Sequence, residues 1–282
     1  MLGSLIQAQR LLVEKNSTRK IVIVPVVLTY ESVLEARSLI IQHLTTTGQE
    51  RFTARAKKAG FGSYYKFLFR VLKNKSHIHL TFGRPMDVFG NHLDENANSL
   101  DHKSHIVQLK DYFSTNGQFL KDDQREMIYT RELGERIADA YRMYNYVLPT
   151  HLVAYAGFVL LSKMNPQHDV YSLVQLPEEE YFLPSKSIEN LCAQLQMILF
   201  QKSEAGLIIH PKELEGTIED VIEIGLQNLG VYHLKRILTK DTYGRYFSED
   251  FLGLLYYANR LQNLDLQNEI DWTSIHWEAD RF

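Results

Sequence analysis

Residues 21–30 read IVIVPVVLTY, and nearly every one is apolar or β-branched. A run of this kind is the signature of a strand covered on both faces. Proline removes a ladder donor, so a strand end, bulge or edge is expected at Pro25. Before this run, LGSLIQAQRLLVEK (2–15) places apolar side chains at 2, 5, 6, 8, 11, 12 and 13, close to helical period, and Asn16 and Ser17 end the segment. After it, ESVLEARSLIIQHL (31–44) restores helical spacing through Val33, Leu34, Ser38, Ile41 and Leu44. Helix, buried strand, helix is the alternation of an α/β layer. A second strand is expected at HIHLTFG, 77–83, stopped by Gly83 and Pro85.

Further along, residues 90–125 are polar, rich in Asn, Asp, His and Ser, and read as a long loop or insertion. The later signals are mainly helical, at 129–146, 150–164, 186–202, 217–229 and 248–263. Thr217 with Asp220 makes a capping-box-like start, and Gly230 sits where a helix-ending glycine belongs. VYHLKRILTKDTYGRYF, 231–247, suits a hairpin around a turn at Asp241–Gly244. No internal repeat and no low-complexity tract is read. The expected fold is α/β, a partial mixed sheet with helices, followed by a mainly α-helical C-terminal region. Its parts are an α/β portion at 1–90, a loop or insertion at 91–125 and a helical region at 126–282.

Apolar residues make up 45% of the 282, which is ample for a sizeable core and argues against wholesale disorder. A single cysteine, Cys192, excludes an intramolecular disulfide framework, and the N-terminus carries no secretory pattern, so a reducing, cytoplasmic setting is expected. The longest apolar run, LVAYAGFVLL (152–161), is well short of the roughly 20 residues a membrane span needs and reads as a buried core helix. Charge is unevenly spread: 13 Lys/Arg against 4 Asp/Glu in residues 1–75, and 18 against 30 in residues 76–282. A basic front of this kind faces anions: phosphate esters, acidic lipid or nucleic acid.

The basic excess concentrates in RFTARAKKAGFGSYYKFLFRVLKNK, 51–75, which holds eight Lys/Arg and no acid. Tyr65, Leu68, Phe69 and Leu72 fall on one helical side, with Lys66, Arg70 and Lys73 on the other. That is a basic amphipathic helix, able to lie in an anionic membrane interface through Lys57, Lys58, Lys66, Arg70 and Lys73. The same mix of cations and aromatics suits single-stranded nucleic acid as well, the weaker reading. His77 and His79 share a strand face, and His102 and His105 are three apart, but neither pair finds the third ligand a metal site needs. GFGS at 60–63 lacks a third glycine and a preceding strand, so no nucleotide fingerprint is present and no cofactor is expected. Cys192 lies on an apolar helix stripe and reads as core rather than nucleophile.

Taken in order, these signals resemble the membrane-bound glycerol-3-phosphate acyltransferases and their dihydroxyacetone-phosphate relatives. LGSLIQAQ, a short polar linker and IVIVPVVLTYE look like that family's fourth conserved block and the helix leading into it, carried by Val24, Pro25, Val26, Tyr30 and Glu31. HIHLTFGRPMDVF (77–89) resembles the next strand, ending Phe82-Gly83-x-Pro85, and LLYYANRLQNL (254–264) is similar to a later helix through Tyr256, Tyr257 and Asn259. The resemblance implies acyl transfer from acyl-CoA or acyl carrier protein to glycerol 3-phosphate, at the cytoplasmic face of a membrane. It also implies that Val24, Pro25, Val26, Tyr30 and Glu31 belong to a wall of the acyl pocket.

The departure from that family is chemical. Its histidine, in His-x-x-x-x-Asp, removes the glycerol hydroxyl proton while the aspartate orients the ring. None of the eleven histidines here has an aspartate five residues on; His210 with Glu215 comes nearest, with Pro211 between. The family's arginine-bearing phosphate block is absent too. No residue is therefore assigned as catalytic, and the chain alone is expected to be inactive. A chain carrying the remaining N-terminal half is an expected partner, alongside the acyl thioester, glycerol 3-phosphate and an anionic membrane surface. Two alternatives stay open: a non-catalytic, membrane-associated or split-gene partner subunit, and a nucleic-acid-binding module.

Overall fold

The computed structural model describes residues 1–33, 35–46, 77–115, 118–177, 182–231, 233 and 235–275. It is a mixed α/β protein whose sheets are small and whose chain divides into two compact units. The first comprises 1–28 and 80–145, the second 29–79 and 146–282, so each is built from two separate stretches. The basic segment 51–75, with Lys57, Lys58, Lys66, Arg70 and Lys73, lies outside the described residues.

In the first unit, helix α1 (Leu2–Glu14) packs on helix α3 (Asp123–Met143). A largely buried ion pair, Arg10 Nε to Glu126 Oε1 at 2.7 Å, joins them. Neither atom meets hydrogen-bond geometry, so the two buried charges offset each other through coulombic attraction alone. Ile6, Val88, Phe89 and Phe113 form one small core, walled by Tyr112, whose ring stacks on Phe89 at 4.0 Å, and by Tyr129, edge-on to it. Met86, Leu133 and Ala140 form a second, adjoined by Ile23 and Tyr144.

Strand β1 (Val26–Tyr30) pairs with strand β2 (Ile78–Phe82). Pro25 marks the start of β1, as its missing donor requires, and its carbonyl accepts from Gly83 N at 2.8 Å. Ile23 exchanges backbone hydrogen bonds with Met86 at 2.8 and 2.9 Å, and Met86 in turn bridges His92. Gly83 is required by a close approach rather than by its own φ: a Cβ there would stand 2.6 Å from the Tyr144 ring. The Tyr144 hydroxyl also accepts from Arg84 N at 3.1 Å, fixing the exit of β2.

The chain beyond β2 corrects two expectations, that 91–125 is a loop and that the sequence holds no repeat. Strands β3 (His92–Leu93), β4 (Ser99–Leu100) and β5 (Ile106–Val107) form an antiparallel meander. It is built from three seven-residue copies, DVFGNHL, DENANSL and DHKSHIV, beginning at Asp87, Asp94 and Asp101. In each copy the Asp carboxylate accepts from the amides two and four residues on, and the fourth residue is left-handed: Gly90 (φ 82°), Ala97 (φ 61°) and Ser104 (φ 63°). That is a type I turn closed by a left-handed bulge, the geometry of a short hairpin connection. Residues 109–113 then make a 3-10 turn, and strands β6 (Ser114–Thr115) and β7 (Gln118–Phe119) pair before α3.

The second unit is mainly helical. Helix α4 (Pro149–Met164), containing the long apolar run, is buried on all sides, which is where a helix apolar all round belongs. It is packed by helices α6 (Ser185–Glu204), α7 (Ile218–Asn228) and α8 (Phe251–Ala258), while α2 (Ala36–Thr46) lies on α8 and the short α5 (Val170–Val174) touches both α4 and α8. Thr217 Oγ1 caps α7 by accepting from Asp220 N, and Gly230 follows that helix at φ 72°, both as the sequence suggested. The hairpin expected after 231 is present as β9 (Thr239–Lys240) and β10 (Tyr246–Phe247), around Asp241, with β8 (Phe182–Leu183) on its other side. Cys192 is fully buried in this core, and burial raises its thiol pKa, so it packs rather than reacts.

Candidate functional site

Of the wall residues taken from the family resemblance, Val26 and Tyr30 lie on β1, Val24 and Pro25 just before it and Glu31 just after it, and the segment has two unlike faces. Pro25 is buried, and Ile23 packs into the core of the first unit. Val22, Val24, Val26 and Leu28, alternating with them, are exposed, as are Leu80 and Phe82 of β2 within the same unit. Leu28 keeps 48% and Phe82 65% of its surface in contact with solvent. The expectation of a strand covered on both faces is thus corrected. The helices of the unit cover one face, and no described element of the unit covers the other. Val26 and Leu28 of β1 and Leu80 and Phe82 of β2, with Val22 and Val24 just before β1, are six exposed apolar side chains, more than the single scattered ones a surface ordinarily carries.

In the second unit, Tyr30 is partly exposed and Glu31 is engaged locally: its carboxylate accepts from His77 N at 2.9 Å and lies 3.2 Å from His77 Nδ1. The loop after β1 is anchored through Val33, whose amide donates to the Tyr257 hydroxyl at 3.0 Å. Tyr257 is buried, its pKa raised by that burial, and His233 Nε2 stands 3.2 Å from the same hydroxyl. Arg37 and the buried Asp250 close this corner with an ion pair at 2.5 Å. Tyr256 and Tyr257 thus hold packing positions in α8 rather than facing an open site.

His151, His79 and His210 are each engaged in a structural contact. His151 is 1% exposed, and its Nδ1 accepts from Leu148 N at 3.3 Å, capping the start of α4. Burial, with help from Arg260 and His79, pushes its pKa down to about 3, so the ring is neutral at physiological pH. His79 stacks on Tyr146 with ring centres 4.5 Å apart, and the Tyr146 hydroxyl donates to Glu213 at 3.2 Å. Burial and the Glu213 charge push that phenol up to about 12. His210 lies 2.7 Å from Glu215 on an exposed turn and stacks on Phe200. Among the described residues no group of three or more His, Cys, Asp or Glu is arranged to hold a metal ion. No helix of the described residues is long and apolar enough to cross a membrane.

The first unit also contains a cleft that the sequence reading missed. It lies between the end of α1, the connection 16–20 and the meander, and carries Arg19, Lys20 and Lys110 in its lining. Its elements are more than 75 residues apart in the chain, so only the meander repeat, once recognised, could have brought 98–110 back toward 16–20. No family model matches the sequence, and no curated protein matches it either.

Proposed function

We propose that this chain is one part of a glycerol-3-phosphate acyltransferase-like protein of phospholipid synthesis. It would contribute the outer strand pair and a helical region, while the proton-abstracting His-x-x-x-x-Asp comes from another chain or segment. The exposed apolar face of the first unit carries this reading. Val22, Val24, Val26, Leu28, Leu80 and Phe82 make an unfinished layer, and an unfinished α/β layer is what the family resemblance of Val24, Pro25, Val26, Tyr30 and Glu31 calls for. In the completed protein, that face would meet the missing layer, and Val24 and Val26 would border the acyl chain.

Chemistry then divides between the parts. A glycerol hydroxyl is a weak nucleophile until a base within hydrogen-bond reach takes its proton, an effect of about 10²–10⁴-fold. His151 is a buried neutral cap, and His210 is an exposed partner of Glu215, so neither stands beside a prepared acyl site. The basic segment 51–75 would hold the assembly against anionic lipid through Lys57, Lys58, Lys66, Arg70 and Lys73. The test is a radiolabelled acyl-transfer assay with glycerol 3-phosphate and dihydroxyacetone phosphate as acceptors. It is run on the chain alone and on the chain co-expressed with a polypeptide bearing His-x-x-x-x-Asp and the phosphate block. Turnover is expected only with both parts. Robust turnover by the chain alone, abolished by His151→Ala or His210→Ala, overturns the reading.

A further inference from the structure

The cleft beside α1 has a volume of about 350 Å³, within the size range of small-ligand pockets. Three of its lining residues are cations, Arg19, Lys20 and Lys110, and none is an acid. Asn16, Ser17, Thr18, Asn98, Ser99 and Gln108 add uncharged polar groups. Neither Arg19 nor Lys110 is paired with a carboxylate among the described residues. Lys20 Nζ is held by the Ala97 carbonyl at 2.7 Å and by Ser99 Oγ at 3.0 Å. Both partners are neutral, and one of the ammonium's three donors stays available. The Asp94 carboxylate, whose pKa is held low first by hydrogen bonds from Asn98, is also close enough to feel this charge. Asp94, outside the lining, has its oxygens engaged by Asn96 N, Asn98 N and Asn98 Nδ2.

The backbone that carries Arg19 and Lys20 is also pre-set. Asn16 is left-handed (φ 51°), and Asn16 N and Ser17 N return to the Val13 and Leu12 carbonyls, the hydrogen bonding of a tight helix end. Ile21 N donates to the buried Gln9 side chain at 2.8 Å. Residues 16–20 are thereby pinned at both ends, which spares a ligand much of the ordering cost.

We infer that this cleft binds a phosphate monoester group, with Arg19 as a two-pronged donor and Lys20 and Lys110 as point charges. A guanidinium matches phosphate oxygens in pairs, and three cations in the lining of one small cleft suit a dianion. The lining holds no aromatic side chain on which a base could stack, which argues against single-stranded nucleic acid. The phosphate could belong to a soluble ester or to a phosphatidic-acid headgroup; the site chemistry is the same. The inference is independent of the acyl-transfer reading, since it concerns a different surface and needs no second chain.

The experiment is a calorimetric titration of the full chain, in nonionic detergent, with inorganic phosphate. It is repeated with dihexanoylphosphatidic acid below its micelle-forming concentration. One saturable site is expected, weakened about tenfold by Arg19→Gln and again by Lys110→Gln, as loss of a charge-assisted contact implies. Arg19→Lys should bind better than Arg19→Gln, and Arg131→Gln, on exposed α3, should bind like the parent. Thermal melts show which variants fold. If the lipid binds at least tenfold more tightly than phosphate, with the same dependence on Arg19 and Lys110, the headgroup is the ligand; comparable affinity assigns soluble phosphate. Lack of saturation by either probe overturns the inference. So does a double Arg19→Gln/Lys110→Gln variant that binds like the parent, or an equal loss in Arg131→Gln.

Discussion

At the scale of single residues, His151 shows how burial decides what a titratable group can do. Its imidazole is the cap of the most buried helix, and the shift to a pKa of about 3 follows first from desolvation, with the Arg260 and His79 charges adding to it. An unfolded histidine takes up a proton near pH 6.5, while the folded one resists until about 3. Between those values the unfolded state binds more protons, so stability falls as pH drops below about 6.5, by at most about 1.4 kcal/mol per pH unit for one group. We predict that the urea midpoint declines from pH 7 to pH 5 and that His151→Gln, which cannot titrate there, flattens the decline. An unchanged slope in His151→Gln would assign the acid sensitivity to other groups. Sequence reading gave this histidine no partner, and nothing in the residues around 151 announces the cap. Leu148 offers a backbone amide, and backbone groups have no sequence signature.

Elements were legible in proportion to their length. Helices α1, α4, α6 and α7 and strands β1 and β2 lie within a few residues of where periodicity put them, because each is long enough to repeat its pattern. The meander was not read at all: a two-residue strand has no period. The available signal was aspartate recurring every seven residues, at 87, 94 and 101, with Leu93, Leu100 and Val107 closing each copy. Glycine occupies the left-handed place only in the first copy, which hid the repeat; Ala97 and Ser104 take the same conformation at a cost. A left-handed non-glycine residue is strained by roughly 1–2 kcal/mol, against which glycine loses about 0.4–1 kcal/mol through its freer unfolded chain. Ala97→Gly and Ser104→Gly are therefore each expected to stabilise the chain by about 0.5–1 kcal/mol. Thermal or urea melts check this, and a lowered midpoint in both would mean that the turn geometry is misassigned.

For the whole molecule, the decisive feature is that, among the described residues, the first unit covers one face of its strand segments and leaves Val26, Leu28, Leu80 and Phe82 exposed on the other. The alternating pattern of Val22, Val24, Val26 and Leu28 was visible in the sequence, but an all-apolar run reads the same whether one face or two are covered. Only burial separates the cases. An open apolar strand surface recruits other chains, either a proper partner or copies of itself. We expect the isolated chain to self-associate, and the triple variant Leu28→Thr, Leu80→Thr, Phe82→Thr to restore a monomer. Threonine keeps the β preference of these positions, and all three side chains are exposed, so the substitutions should leave folding stability nearly unchanged, within about 0.5 kcal/mol each. If the face is the seam of a two-part acyltransferase, the same triple variant should also fail to co-purify with the His-x-x-x-x-Asp-bearing part and should lose the acyl transfer regained on co-expression. Light scattering coupled to gel filtration reads the first effect, and co-purification with the transfer assay reads the second. A parent chain that is monomeric at high concentration, with a triple variant that still pairs and still supports turnover, would show that the open face is plain surface and that the catalytic part attaches elsewhere.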